Sequence, residues 1–127
     1  MRKTAILIDD DKDDLEFLEE AIKLVDGSVE CIPYLFCDDA VEQLIDKGKF
    51  VPHYIFIDIN MPRINGAECL RQLRSDPKLR SVLITMLSTS MPPAIAKSLK
   101  EHGANYTLQK PSSFHEYPTI LKPILHQ

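Results

Sequence analysis

Two short apolar runs in this chain each end in carboxylate, and that pattern limits the fold more than any other feature. Ala5-Ile6-Leu7-Ile8 runs into Asp9-Asp10-Asp11, and Tyr54-Ile55-Phe56-Ile57 runs into Asp58. Short continuous apolar runs suit strands covered on both faces, because a strand with one wet side would alternate with polar residues. The carboxylates cannot follow such strands into a core, so they belong at the edge where the chain leaves the sheet. Asp58 and the Asp9–Asp10 pair are therefore expected to meet at one edge.

The rest of the chain repeats a strand–helix alternation. Strand-like segments fall at residues 4–9, 31–36, 54–58, 82–87 and 106–109. Helical spacing follows each of them. Leu15, Leu18, Ile22 and Val25 share a face over 13–26, with an acidic first turn and Gly27 beyond the end. Asp38 or Asp39 is expected to cap a helix that buries Val41, Leu44 and Ile45 and stops at Gly48. Ala67, Leu70 and Leu73 mark a third helix, closed by Asp76-Pro77. Pro92-Pro93 start a fourth, with Ile95, Ala96 and Leu99 inward and Gly103 at its end. Ile120, Leu121, Ile124 and Leu125 mark a fifth. Five βα units with short connections imply an α/β fold with a parallel sheet covered on both sides by right-handed crossovers.

At 127 residues the chain has the size of one domain, and no linker or repeat divides it. A net charge of −4 argues against a direct nucleic-acid ligand. No segment reaches the length of a membrane span, and the N-terminus lacks the pattern of a signal peptide. Cys31, Cys37 and Cys69 have no metal-ligand spacing, and the expectation is three reduced thiols in a cytoplasmic protein. His53, His102, His115 and His126 are scattered, as surface histidines are.

In open parallel sheets, ligands sit outside the carboxyl ends of the strands. Asp9 and Asp10, Asp58, Ser88-Thr89-Ser90 and Lys110 all fall at such ends. Clustered carboxylates suit a hard cation such as Mg²⁺. A hydroxyl and an ammonium can hold phosphate oxygens beside it. The set fits phosphoryl transfer to a carboxylate, in which positioning and charge neutralisation supply the catalysis.

These segments resemble the receiver domain of response regulators in two-component signalling. The resemblance rests on Ile6-Leu7-Ile8-Asp9-Asp10-Asp11, Phe56-Ile57-Asp58-Ile59-Asn60-Met61-Pro62, Asn65-Gly66, Leu87-Ser88-Thr89-Ser90, Gly103-Ala104 and Lys110-Pro111, in that order along the chain. It is similar to the stand-alone regulators of chemotaxis type, and in Asp13-Asp14 and Leu87-Ser88-Thr89-Ser90 to those that partner phytochrome-type kinases. The resemblance implies a doubly wound, flavodoxin-like (βα)5 sandwich with strand order 2-1-3-4-5, and a single receiver domain over 1–127 with no output domain. It implies that Asp58 accepts a phosphoryl group from phosphohistidine on a sensor histidine kinase or a histidine phosphotransfer protein. Asp9, Asp10, Asp58 and the backbone carbonyl of Asn60 would hold Mg²⁺. Lys110 would pair with the acceptor and then with a phosphoryl oxygen, Ser88 would be the switch hydroxyl, Gly66 would permit the turn into the third helix, and the Lys110–Pro111 bond would be cis. Such a protein is a phosphoacceptor with slow self-dephosphorylation rather than an enzyme, acting on a downstream protein target, with a homodimer allowed.

Two departures stand out. Receivers carry an aromatic residue three positions before the lysine, where this chain has Thr107; Tyr106 is one step earlier and should face the other side of the sheet unless a bulge intervenes. Pro118 and Pro123 fall within the last helix, where Pro123 is expected to kink or end it. These departures motivate an alternative, a receiver-like interaction module that works without phosphorylation. A hydrolase of the aspartyl-phosphate kind would carry a second aspartate two residues after the nucleophile, where Asn60 stands.

Overall fold

The computed structural model describes residues 2–48 and 50–126. Strands β1 (Thr4–Ile8), β2 (Glu30–Tyr34), β3 (Tyr54–Asp58), β4 (Leu83–Ser88) and β5 (Tyr106–Gln109) form one parallel sheet in the order β2-β1-β3-β4-β5. β3 is buried along its whole length, as its unbroken apolar sequence requires.

Helices cover both faces, giving the expected three-layer sandwich. α1 (Lys12–Val25) and α5 (Glu116–Leu125) pack on one side. There Leu15, Leu18, Ile22, Leu121 and Ile124 meet Ala5, Leu7, Tyr54 and Phe56 of the sheet. On the other side lie α2 (Cys37–Val41, continued by a π-helical turn at Glu42–Asp46), α3 (Gly66–Arg74) and α4 (Pro93–Glu101). Leu44, Leu70, Leu73 and Leu99 there meet Ile6, Ile8, Ile55, Ile57, Ile84 and Met86. The alternation along each strand thus divides two apolar sets between two helical layers.

Several expectations need correction. Neither Asp38 nor Asp39 caps α2; the cap position is Phe36, without a side-chain bond. The short link after β2 starts the helix at Cys37, so both acids fall in the first turn, where the helix dipole favours them. Ile95 is not inward but 45% exposed, because only the last turn of α4, at Leu99, is buried against the sheet. Pro123 does not end α5, which runs on to Leu125. Buried Leu121, Ile124 and Leu125 anchor that final turn, while Pro123 itself is exposed. Pro118 lies in the first turn of α5, where a missing N–H costs nothing.

The cysteines also differ from expectation. Cys37 and Cys69 form a disulfide between α2 and α3, with Cα atoms 5.9 Å apart. Both are buried in the core on that face, brought together by the adjacent packing of the two helices rather than by sequence spacing. Cys31 alone is a free thiol, and burial pushes its pKa up to about 11. The argument from reduced thiols to a reducing compartment therefore does not hold for this pair.

Candidate functional site

The carboxyl ends of β1, β3 and β5 bring Asp9, Asp58 and Lys110 together. Asp9 and Asp58 are 5% and 6% exposed, and both lie against the Lys110 side chain. Lys110 Nζ donates to Asp9 Oδ2 and to Asp14 Oδ2, each at 2.9 Å, and forms an ion pair with Asp58 Oδ1 at 2.8 Å. The Lys110 backbone is fixed as well, because its N–H donates to the Ser88 carbonyl at 2.7 Å. Asp9 Oδ1 accepts from the Asp11 N–H at 3.0 Å. Asp11 in turn caps α1, accepting from Asp13 and Asp14.

Burial decides the electrostatics. Desolvation pushes the Asp9 carboxyl up to about 6, against the opposing pull of the Asp11 N–H and Lys110. Desolvation also raises Asp58, and Lys110 only partly offsets it. Burial alone would lower the Lys110 ammonium, but hydrogen bonds to Asp58, Asp14 and Asp9 outweigh it and hold the charge in place. A buried cluster with more carboxylates than ammonium groups has room for another cation. One carboxylate oxygen from each of Asp9, Asp10 and Asp58 lies within 4.8 Å of the other two, and among the described residues this is the one group of three or more acids, histidines or cysteines so arranged. An all-oxygen donor set of this kind suits a hard divalent ion rather than a soft one.

The remaining sequence-derived residues fall as follows. Asp10 is exposed beside the pair, as a ligand open to solvent would be. Asn60 is exposed on the loop after β3. Ser88 is buried at the end of β4, where its Oγ accepts from the Ser90 N–H at 3.3 Å, while Thr89 is exposed. No cis peptide bond occurs among the described residues, so Lys110–Pro111 is trans, contrary to expectation. Lys110 reaches the acids from that trans backbone, already held by the Ser88 carbonyl.

Gly66 serves the site by close approach, not by a left-handed turn. Its N–H donates to the Ile59 carbonyl at 2.8 Å, and it packs directly on the Asp58–Ile59 backbone. The β4–β5 ladder pairs Thr85 with Tyr106, Met86 with Thr107 and Ser88 with Gln109 without a bulge. Tyr106 packs in the layer of α1 and α5, and Met86 in the opposite layer. Ser88 has the parity of Met86, so Tyr106 and Ser88 are on opposite faces. Sequence reasoning missed the part played by Asp14. Its signal lies in Asp13-Asp14, which along the chain reads as the acidic first turn of a helix and as part of the likeness to phytochrome-partner regulators.

Comparison with known proteins agrees with this geometry. The model of the response regulator receiver domain matches residues 5–122, and the chain belongs to that family. It is 27% identical over 92 residues to the response regulator Rcp1 of Synechocystis, covering 69% of this chain and 63% of Rcp1. The first five curated relatives are matched over 42% to 63% of their own length. Among solved structures, the bacteriophytochrome response regulator RtBRR is 32% identical, with TM-score 0.78 over 94% of this chain and 75% of that one. The phosphorylated cyanobacterial phytochrome response regulator RcpA shares the fold, with TM-score 0.85 and 24% identity over 98% of this chain and 91% of that one. The Mn²⁺-bound form of Rcp1 does likewise, with TM-score 0.82 and 23% identity over 96% and 91%. No helix among the described residues is long and apolar enough to cross a membrane.

Proposed function

We propose that this receiver accepts a phosphoryl group onto Asp58 from phosphohistidine on a sensor histidine kinase or a phosphotransfer protein, and that the modification changes which protein it binds. The observation that carries this reading is the placement of Asp58, nearly buried, against Lys110 at 2.8 Å and within the acidic group that could share a cation. A carboxylate oxygen of Asp58 attacks phosphorus, the P–N bond breaks, and the imidazole nitrogen leaves with the electron pair. Lys110 meets the charge on the transferred oxygens, and the Ser88 hydroxyl can exchange its bond from Ser90 for one to a phosphoryl oxygen.

Mg²⁺ fits the donor set of Asp9, Asp10 and Asp58; these carboxylates and the Asn60 carbonyl would hold it, and it would neutralise phosphoryl oxygens. Mn²⁺ in Rcp1 and the phosphorylated state of RcpA support the same chemistry in relatives of like fold. The likeness to phytochrome response regulators supports a phytochrome-type kinase as the donor. We read residues 1–127 as one receiver domain that meets its kinase in the cytoplasm and loses its phosphoryl group by slow self-hydrolysis rather than acting as an enzyme. The same fold supports a phosphorylation-independent binding module, and the placement of Tyr106 away from Ser88 favours that second reading in one respect: the aromatic cannot follow the hydroxyl.

Intact-mass measurement after incubation with Mg²⁺ and a small phosphodonor, or with phosphorylated candidate kinases, separates the two. The expected result is gain of one phosphoryl group by the wild type and none by Asp58→Asn. A wild type that gains none from any donor leaves the binding module as the function.

A further inference from the structure

Asp14 stands apart from the other acids of the site. Its carboxylate accepts from Lys110 Nζ, yet it lies outside the Asp9, Asp10 and Asp58 group whose oxygens could share a cation. An ammonium has three N–H bonds. Here two of them meet Asp9 and Asp14 at 2.9 Å each, and the ammonium pairs with the Asp58 carboxylate at 2.8 Å. Asp9 and Asp58 are carboxylates that a divalent ion would draw on. Once an ion shares the charge of Asp9 and Asp58, their pull on the ammonium weakens. Once Asp58 is an acyl phosphate, its carboxylate charge is gone. Asp14 alone keeps its full charge for Lys110 throughout.

The backbone of Asp14 is suited to that task. It is the third residue of α1, and its N–H donates to the capping Asp11 Oδ1 at 3.3 Å. Leu15, next along, is buried against the sheet. Asp14 is therefore built on a rigid helix start, while Lys110 sits just beyond the end of β5. The Asp14 side chain is 36% exposed and that of Lys110 12%, so the carboxylate reaches the ammonium from the rim.

We propose that Asp14 is a positioning residue for phosphoryl transfer, holding the Lys110 ammonium over Asp58 while cation and phosphodonor engage the other acids. This rests on the reading of Asp58 as the acceptor. The test is the rate of Asp58 phosphorylation by acetyl phosphate at saturating Mg²⁺, followed by intact mass for wild type, Asp14→Asn, Lys110→Ala and the double variant, each checked for folding by thermal melting. Asp14→Asn is expected to slow the reaction about tenfold. The deficit should persist as Mg²⁺ is raised further, which excludes a loss of metal affinity. In the Lys110→Ala background, Asp14→Asn should cause no additional slowing. A rate for Asp14→Asn equal to wild type, or an equal slowing in both backgrounds, overturns the positioning role and leaves the Asp58 reading intact. A wild type that takes up no phosphoryl group from acetyl phosphate or from any phosphorylated kinase overturns the Asp58 reading and this inference with it.

Discussion

Gly66 lies so close to Asp58 that a Cβ on it would stand 2.5 Å from the Asp58 carbonyl oxygen and 2.6 Å from the Ile59 Cα. Both neighbours are backbone, so neither can yield by turning a side chain. The first turn of α3 thus presses on the strand end that carries Asp58. Gly66→Ala is expected to cost about 1–3 kcal/mol through overpacking, and to slow phosphorylation by displacing Asp58. Urea unfolding monitored by circular dichroism gives the first quantity and intact-mass kinetics the second. Unchanged values for both would mean that α3 moves aside freely.

Asp9 makes stability depend on pH. Burial raises its folded pKa to about 6, above the ordinary aspartate value of 3.8. A raised acid contributes stability that is complete below the unfolded value and is lost as pH rises through the folded one. Asp58 is shifted the same way by the same burial. Metal-free protein should therefore be more stable at pH 5 than at pH 7.5, with an Asp9 contribution on the order of 1 kcal/mol. Asp26 and Glu68 are shifted down, so their contributions are lost only at lower pH and do not enter this window. Added Mg²⁺ should stabilise more at pH 7.5 than at pH 5, because cation and protons compete for the same oxygens. Urea midpoints at the two pH values, with and without Mg²⁺, check both statements, and Asp9→Asn should flatten the metal-free difference.

The residues that made the fold legible are those whose role is fixed by the strand or helix they occupy. Ile6, Ile8, Ile55 and Ile57 announce buried strands, and Asp9, Asp58 and Lys110 follow strands whose ends must share one edge of a parallel sheet. What was hidden depends on how separate elements pack. Nothing along the chain relates Cys37 to Cys69 until α2 lies beside α3. Asp14 reads as an ordinary acid in a helix's first turn until β5 delivers Lys110. Ile95 has the right spacing for burial, yet no periodicity tells how much of α4 overlies the sheet.

The disulfide predicts a measurable response to reduction. Cys37 and Cys69 are 32 residues apart, and closing a loop of that length is worth about 3–4 kcal/mol in the chain-entropy account. Reductant or the paired Cys37→Ser, Cys69→Ser change should lower the urea midpoint accordingly, with some further cost for hydroxyls placed in an apolar core. Alkylation of the unfolded, unreduced protein should label Cys31 alone, and mass spectrometry counts the labels. Labelling at all of Cys31, Cys37 and Cys69 would show the pair to be thiols in solution.

Arg74 supplies the last test, because it joins three segments without touching the site. Its guanidinium donates to the Gly103 carbonyl at 2.8 Å, the Leu79 carbonyl at 2.9 Å and Asn105 Oδ1 at 2.7 Å. Asn105 Oδ1 also accepts the Ile84 N–H at 2.8 Å, so the same cluster reaches the start of β4. Gly103 leaves no room for a side chain, since a Cβ there would approach Arg74 Cγ to 2.9 Å. Removing the guanidinium strips partners from carbonyls that sit partly out of water, so Arg74→Ala should cost about 2–4 kcal/mol. Arg74→Lys should recover little, because one ammonium cannot span acceptors that a planar fork bridges. Phosphorylation of folded Arg74→Ala at saturating Mg²⁺ should match wild type, since this cluster lies at the amino ends of β4 and β5 and the acids at the carboxyl ends of the sheet. Urea unfolding and intact-mass kinetics on the same preparation give both numbers; a folded variant that phosphorylates slowly would reveal coupling between the two ends of the sheet.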